Sequence, residues 1–519
     1  MRLKSLLCIF CSIFITFSLF AASKRERETR ISKEIRSEAV KNSAAAVAKI
    51  IPYLGDSSPY IRETAYKNIL LNIRDEGAIR LLAKELTTNS NPMVREQIAE
   101  LLGNIASAET AGKSLLRALK DTSQDVRLEA VRALGKLEYK PAVKLLGKYA
   151  QKSRFWLLQV EAFSAYAKIR GIQKSDKVLK KVLKSRHPRV QAAALQILLK
   201  YSPLQALEEA LVQLKKLKPK KIQLRYWPVY YACLKILEKN AKNPKAPISK
   251  LRAVIDKIIS IVRKLDGRMK YATFETLAKA TGKSLNPDYR AWKYWWDMNK
   301  SRFVPEGNSG SITRPSTAVR YHGVSIYSKR IIFIVDKSGS MRYPVKGEGE
   351  YKNRIKMDVC KEALIKTIRS LSKDTYFNII FFGTKLRPWK KQLQKATRAN
   401  KASAIKFVSS MQIRGRTNIY DSLFQALNDP FADTIFLLSD GGPSEGKYIF
   451  TRRVEEKVRQ INRFANFEIH TIIIGSSKSR DRRFMENLAR ENGGEFHHKG
   501  GERKRSSHSS KRRRRGKRS

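Results

Sequence analysis

The amino-acid sequence predicts two folded units of different class: an N-terminal α-solenoid, followed by a doubly wound α/β domain with a mostly parallel sheet. Three observations support this prediction. The chain has 519 residues, which is enough for two or three domains. Its first half repeats one helical pattern with a period of about 32 residues. Its second half alternates short apolar runs with helical stretches, which is typical of strands and helices in an α/β fold.

The chain begins with a hydrophobic leader. Arg2 and Lys4 precede an uncharged run that extends from Ser5 to Ala22. Basic residues, an apolar run and small residues near Ser23 are typical of a secretory signal. We therefore expect residues 1–23 to be cleaved off and the mature protein to be secreted or periplasmic. The alternative is an uncleaved membrane anchor, because the run approaches the length of a membrane span.

Residues 24–300 carry the helical repeat. Each copy has an apolar residue followed by Arg or Gln, with small or apolar residues four and eight positions later. The copies begin at Ile61, Val94, Val126, Leu158 and Val190. Offsets of zero, four and eight lie on one face of a helix. A second apolar helix follows, such as Ala111 to Leu119. A single helical hairpin cannot bury its own apolar face, so the units should stack into a solenoid.

Two of these segments resemble a known repeat family. Residues 94–103 read Val-Arg-Glu-Gln-Ile-Ala-Glu-Leu-Leu-Gly and residues 126–135 read Val-Arg-Leu-Glu-Ala-Val-Arg-Ala-Leu-Gly. Both resemble the short HEAT-like repeats of bacterial proteins, which implies a scaffold that binds a second protein. A spacer without a specific ligand is the alternative. The repeat fades beyond residue 220, and we expect the aromatic residues of 291–296 to cap the last layer.

The second half reads as a linker, an α/β domain and a tail. We expect the linker at 301–319, where Gly, Ser and Pro accumulate. The domain is expected at 320–499. Its apolar runs are 331–335, 377–382, 434–438 and 469–474, and its helical stretches are 355–371, 403–411, 419–427, 450–464 and 482–491. Because ligands bind beyond the carboxyl ends of parallel strands, the loops leaving those ends should carry the functional residues.

Three of these loops offer side-chain oxygens. Asp336, Ser338 and Ser340 follow the first run, Thr417 precedes a predicted helix, and Asp440 follows the third run. Aspartate and serine are common in turns, so a single loop would be weak evidence. Three loops at one sheet edge are more specific. An all-oxygen set without His or Cys suits a hard cation, so we expect Mg²⁺, with Mn²⁺ as the next choice.

In this order, the motifs closely resemble the von Willebrand factor type A domain with an intact metal-ion-dependent adhesion site. The quoted segments are Ile-Phe-Ile-Val-Asp-Lys-Ser-Gly-Ser-Met at 332–341 and Leu-Leu-Ser-Asp-Gly-Gly-Pro-Ser at 437–444. The resemblance implies that Ser338 and Ser340 coordinate the ion directly and that Thr417 joins when ligand binds. It also implies that the two aspartates act mainly through water. We expect an Asp or Glu of a partner protein to complete the coordination and the loops to be solvent-accessible.

No catalytic constellation accompanies these motifs. A phosphotransferase of the haloacid dehalogenase kind needs a second aspartate where Ser338 stands. His497 and His498 are adjacent on a predicted strand, so their side chains point to opposite faces. Cys233 and Cys360 lie in helical stretches and are expected in the core. We therefore predict a protein that is not an enzyme.

The chain is strongly basic, with 106 Lys and Arg against 46 Asp and Glu and a formal net charge of +60. Residues 500–519 form a basic tail, which we expect to be disordered and able to bind an anionic polymer. Basic residues also flank the predicted metal loops and favour an acidic partner; these are Lys337, Arg342, Arg414 and Arg416.

Together, these features predict a secreted or periplasmic adhesion or scaffold protein that binds an acidic protein ligand through a divalent-metal site. The alternative is a cytoplasmic nucleic-acid-binding or chaperone-type adaptor dominated by its basic surface, in which the leader is misread. The location of the protein in the cell distinguishes the two hypotheses.

Overall fold

The computed structural model describes residues 23–172, 176–305, 310–314, 319–346, 350–475 and 478–500. The predicted leader up to residue 22 and the predicted tail from residue 501 lie outside these ranges. No helix within them is long and apolar enough to cross a membrane. The chain divides into a helical unit and an α/β unit, which are described in turn.

The helical unit consists of successive α-helices, as the repeat predicts. Its helices are α1 (23–40), α2 (Ala44–Ile50), α3 (Pro59–Asn72), α4 (Glu76–Thr88), α5 (Pro92–Ile105), α6 (Ala108–Ala118), α7 (Gln124–Lys136), α8 (Val143–Lys152), α9 (Trp156–Arg170), α10 (Lys177–Leu183), α11 (Pro188–Tyr201), α12 (Pro203–Lys216), α13 (Pro219–Lys221), α14 (Trp227–Ala241), α15 (Ile248–Val262), α16 (Gly267–Thr281) and α17 (Tyr289–Asn299). The repeated motif lies on α3, α5, α7, α9 and α11.

The three apolar positions of the motif form the core, as predicted. Every residue at offsets zero, four and eight of the five copies has at most 2% of its surface exposed. Prolines begin α3, α5 and α11. Proline suits the first helical position because its missing N–H would have no partner there. Each of these helices, and with it the buried face of the repeat, therefore begins at its proline.

In four of the five copies, the basic or amide residue of the motif secures the preceding turn; for Gln159 no such bond is found among the described residues. Arg95 Nη1 donates to the carbonyl oxygens of Asn89 at 2.8 Å and Ser90 at 3.0 Å. Equivalent bonds to turn carbonyls are made by Arg62, Arg127 and Gln191. We call this set the turn clamp. It satisfies backbone acceptors that the turn leaves without a helical partner, which explains why the motif repeats a long donor side chain at this position.

Successive repeat helices approach closely at glycine. A Cβ atom added to Gly103 of α5 would lie 2.7 Å from Ala133 Cβ of α7. A Cβ atom added to Gly135 of α7 would lie 2.6 Å from Ala165 Cβ of α9. These distances are shorter than real carbon contacts, so each crossing needs a residue without a side chain.

Aromatic side chains pack at the last helix of this unit. Trp292 and Trp296 of α17 are buried, while Tyr294 is 72% exposed. The ring of Trp292 lies 6.4 Å from Phe274 on α16, and Trp296 lies 5.4 Å from Phe303. Two of the aromatic residues in 291–296 thus fill the core at this end, and the tyrosine faces outward.

The α/β unit is built on a mostly parallel sheet, as predicted; the order of its strands, which are defined next, is β5-β4-β3-β7-β8-β9. The strands are β1 (Arg320–Tyr321), β2 (Val324–Ser325), β3 (Arg330–Asp336), β4 (Tyr376–Phe382), β5 (Leu386–Pro388), β6 (Gln394–Lys395), β7 (Thr434–Ser439), β8 (Glu468–Ile474) and β9 (Gly493–Lys499). The helices are α18 (Lys356–Ser370), α19 (Arg398–Ser409), α20 (Ile419–Leu427), α21 (Thr451–Ala465) and α22 (Ser479–Glu491). The short strands β5 and β6 pair antiparallel with β4, and β1 pairs with β2.

The central strand β3 positions the functional edge. All seven of its residues are buried, and it pairs in parallel with β4 on one side and β7 on the other. The chain leaves β3 toward β4 and later returns to β7 on the opposite side. Such a reversal of strand order opens a crevice at the carboxyl ends of the two strands, where ligands bind in doubly wound sheets.

The contribution of His322 to the stability of this unit should fall on acidification, against the opposite contribution of Asp336, whose pKa is raised to about 7. The imidazole is 6% exposed, and neither ring nitrogen has a hydrogen-bond partner among the described residues. Burial, and then the charges of Lys499 and His497, lower its pKa to about 3. Because the unfolded chain takes up this proton near pH 6.5, the contribution of His322 to stability should fall as pH drops below that value. Between pH 7 and pH 5 we expect a loss of about 2 kcal/mol from this group.

The control is His322→Asn, because asparagine tolerates the positive φ of 48° at this position. The pH dependence is measured by amide hydrogen exchange of peptides from β3 and β7 in the full chain. Equal losses of protection in wild type and variant would contradict the prediction.

Candidate metal site

The structure brings the predicted loops together at the carboxyl edge of β3 and β7. Asp336 ends β3, Ser338 follows it, and Ser340 lies in a short 3₁₀ helix, Gly339–Arg342. Backbone hydrogen bonds join this segment to the loop of Thr417: Gly339 N donates to Gly415 O at 2.9 Å, and Arg414 N donates to Lys337 O at 2.7 Å. The fold therefore places the first two oxygen-bearing loops side by side.

The two serine hydroxyls and one carboxylate form a contiguous cluster. Ser338 Oγ lies 3.1 Å from Ser340 Oγ, and Ser340 Oγ donates to Asp440 Oδ1 at 2.8 Å. Neighbouring ligands of an octahedral Mg²⁺ with bonds of about 2.1 Å are about 3.0 Å apart. The spacing of the two hydroxyls fits two adjacent ligand positions of such an ion.

Asp336 lies beneath this cluster and is fully buried. Its Oδ1 accepts a hydrogen bond from Ser338 N at 2.7 Å, and its Oδ2 accepts one from Ser439 Oγ at 2.6 Å. Burial, and then the nearby charge of Asp440, raise its pKa to about 7. A cation above the two carboxylates would favour the ionised form. Ser439, which orients Asp336, was not predicted from the sequence because it reads as the end of a buried strand.

Thr417 is held close by but does not join the cluster. Its backbone N–H donates to Ser444 Oγ at 3.1 Å, and its carbonyl accepts from the N–H groups of Ser444 and Glu445. Within the described ranges, no hydrogen bond links its hydroxyl to the other four predicted residues. The loop after β7 thus fixes the backbone of Thr417.

The loops expose Arg414, Gly415 and Arg416, and Ser340 is partly exposed, but four of the five predicted site residues are buried. Asp336 and Ser338 are 0% and 2% exposed, and Thr417 and Asp440 are each 7% exposed. The physical reason is that hydrogen bonds join the loops to one another around these four side chains. Substitutions here therefore act on buried groups, and their effect on stability is larger than expected for open loops.

A buried lysine also contacts the site, and the sequence did not predict it. Lys356 Nζ lies 2.8 Å from Asp440 Oδ2, with side-chain exposures of 11% and 3%. Lys356 is the first residue of α18. A cation is unfavourable at a helix N-terminus. A lysine at the start of a predicted helix is therefore the only feature of the sequence that could have suggested a special role for Lys356. Gly475 gives the lysine room, since a Cβ there would lie 2.9 Å from Lys356 Cε.

Other cations crowd the rim of the site. Lys337 Nζ donates to Arg414 O at 3.2 Å, and burial followed by the charges of Arg387 and Arg414 lowers the pKa of Lys337. Among the described residues, no group of three or more His, Cys, Asp or Glu side chains could hold a metal ion.

Comparison with known proteins identifies the domain. Residues 329–498 match the family model of the von Willebrand factor type A domain. The α/β unit carries a type A domain. Its segment is 29% identical over 184 residues to the inter-alpha-trypsin inhibitor heavy chain H3 of Bos taurus. It is 30% identical over 186 residues to the heavy chain H4 of Homo sapiens. These matches cover 33% of this chain and only 19% and 18% of those relatives.

The helical unit and a solved structure complete the comparison. Residues 79–167 and 112–200 match HEAT repeats, so the predicted repeat family is confirmed. A solved structure described as von Willebrand factor type A from Catenulispora acidiphila is 24% identical. The match covers 34% of this chain and 39% of that one, with a TM-score of 0.28.

Proposed function

We propose that this protein is a secreted or periplasmic, non-enzymatic adhesion or scaffold protein whose type A domain binds an acidic protein ligand through Mg²⁺, with Mn²⁺ as the next choice. The observation that carries the proposal is the cluster of Ser338, Ser340 and Asp440 at the crevice between β3 and β7. The match to the type A family supports a protein-binding role.

In this proposal, each residue has a distinct task. Ser338 and Ser340 hold the ion directly, and Asp336 and Asp440 hold its water ligands. Thr417 joins when the ligand binds. When bound, the cation supplies an electrophilic position for an oxyanion from outside. Hydroxyls donate little charge, so the protein leaves that position attractive to a carboxylate of the partner.

The rim supports an acidic partner. Five cations lie on the segments around the crevice, and among the described residues none of them forms an ion pair with a carboxylate; they are Lys337, Arg342, Arg387, Arg414 and Arg416. Guanidinium groups bind carboxylates through two parallel hydrogen bonds. Further acidic residues around the metal-binding carboxylate of the partner would therefore strengthen association and accelerate it at low salt.

The location and the additional partners rest on the sequence. The proposal places the protein outside the cytoplasm because of the leader at residues 1–23, cleaved or retained as an anchor. The tail at 500–519 binds an anionic polymer, and the solenoid binds a second protein. Cell fractionation tests this placement. A purely cytoplasmic protein would instead favour the nucleic-acid-binding or chaperone-type adaptor.

The metal mechanism is tested by replacing both direct ligands, Ser338→Ala with Ser340→Ala. We expect isothermal titration of the full chain to show Mg²⁺ binding at least tenfold weaker than in wild type, because two ligand oxygens are removed. Pull-down of partners with Mg²⁺ should fall to the level seen with chelator. Ser410→Ala, at an exposed serine, is the matched control. The mechanism would be wrong if the double variant bound Mg²⁺ as tightly as wild type, or if wild type did not bind Mg²⁺.

A further inference from the structure

We propose that Lys356 is a built-in counter-ion of the metal site, which holds Asp440 in place without metal and lowers the affinity of the site for divalent cations. This inference rests on the proposed function, since it concerns the same site. It assigns a positioning role to a residue outside the predicted ligand set.

The geometry divides the two oxygens of Asp440 between two partners. Oδ1 accepts from Ser340 Oγ at 2.8 Å, and Oδ2 lies 2.8 Å from Lys356 Nζ. The ammonium therefore orients the carboxylate so that Oδ1 faces the hydroxyl cluster. Without the lysine, Asp440 would have no charged partner among these groups and could turn away from Ser340.

The lysine is confined to this position. Its backbone N–H donates to Tyr343 O at 3.2 Å, which anchors the start of α18. Its aliphatic stem runs against Gly475, the residue after β8, whose backbone has a φ of +80°. With its side chain only 11% exposed, the ammonium has little access to water. Its charge is therefore weakly screened and acts on whatever cation the hydroxyls hold.

The charges show the direction of the effect. With both carboxylates ionised, Asp336 and Asp440 contribute two negative charges and Lys356 one positive charge. A divalent cation thus enters a site whose net charge is −1 instead of −2, and it is repelled by a fixed ammonium. Removing that charge should tighten cation binding, whereas removing a residue with a merely structural role would leave the affinity unchanged or weaken it.

The test is titration of the full chain with Mg²⁺ alone and with Mn²⁺ alone at pH 8, in wild type, Lys356→Met and Lys356→Gln. We expect both variants to bind each ion at least tenfold more tightly than wild type. We also expect their metal-free forms to melt at lower temperature, because Asp440 loses its charged partner. The glutamine of K356Q retains a hydrogen-bond donor, so this variant still gives the affinity if K356M fails to fold. Lys366→Met, at an exposed lysine of the same helix, removes the same charge from the surface and should bind like wild type.

The outcomes separate the two proposals. Unchanged or weaker binding by both variants, with wild type binding normally, overturns the counter-ion role and leaves the proposed function intact. Equal tightening in Lys366→Met also overturns it, because the effect would then come from overall charge. If wild type binds neither ion, the proposed function itself is wrong.

Discussion

Replacing Asp440 by alanine is expected to lower the free energy of unfolding of the α/β unit by about 3 kcal/mol in the absence of metal. The substitution removes the carboxylate that lies 2.8 Å from Lys356 Nζ and leaves a buried ammonium without its partner. The same variant should lose Mg²⁺ binding, because Asp440 Oδ1 is part of the hydroxyl cluster. Stability is measured in chelator by urea titration, with hydrogen exchange of peptides from β3 and β7 as the readout.

The double variant Asp440→Ala with Lys356→Met is the control for this result. If the loss arises from an unpaired charge, removing the lysine as well should restore at least half of the stability, and the two substitutions should not be additive. A single Asp440→Ala variant within about 0.5 kcal/mol of wild type, the range of ordinary surface substitutions, would show that the ammonium finds water or another acceptor.

Gly135→Ala should destabilise the helical unit by about 2 kcal/mol, although alanine is the better helix former by about 1 kcal/mol. The added methyl would lie 2.6 Å from Ala165 Cβ and 3.1 Å from its Cα. The helices α7 and α9 must then move apart, which loosens the buried contacts on both sides. The measurement is thermal unfolding together with hydrogen exchange of peptides from these two helices.

The matched control is Gly77→Ala near the start of α4. There the nearest atom to an added Cβ is Asp75 Oδ1 at 3.2 Å, and the next is Ala44 Cβ at 3.9 Å. This variant should be neutral or slightly more stable than wild type. If Gly135→Ala also proves neutral, the close approach of α7 and α9 does not constrain the repeat.

Much of the α/β fold was predictable because buried parallel strands are continuous apolar runs. The runs at 331–335 and 434–438 became β3 and β7, extended by one or two residues. Since both strands end at one edge, Asp336 and Asp440 were expected near one another, and in the structure the charge of Asp440 contributes to the raised pKa of Asp336. The short strands β5 and β6 have no such pattern, because they are two or three residues long and partly exposed.

The missing parts of the site depend on tertiary packing. Lys356 follows an exposed-looking segment, and no spacing rule distinguishes a lysine that turns inward from one that reaches water. Its role becomes visible only when α18 and the loop after β7 are placed side by side. The burial of Asp336, Ser338, Thr417 and Asp440 depends on tertiary packing as well, since hydrogen bonds such as that between Gly339 and Gly415 join segments that lie far apart in the sequence.

In the helical unit, periodicity identified the buried face but not the task of the polar position beside it. Val94, Ile98 and Leu102 are buried as the offsets require. The adjacent Arg95 reads as a solvated charge, yet it bonds to the preceding turn. The sequence of the turn does not reveal such a bond, because every residue offers a backbone carbonyl as an acceptor.

The turn clamp bears on how such an array can change length. Arg95 and its acceptors Asn89 and Ser90 lie within one short stretch of the chain. A duplicated or deleted copy of the repeat therefore carries donor and acceptors together, and the new junction inherits a complete set of bonds. Adding or removing whole repeats would leave each remaining turn intact. An insertion between residues 90 and 95 would instead separate the arginine from its acceptors. We expect natural length variation in this array to occur in steps of one repeat.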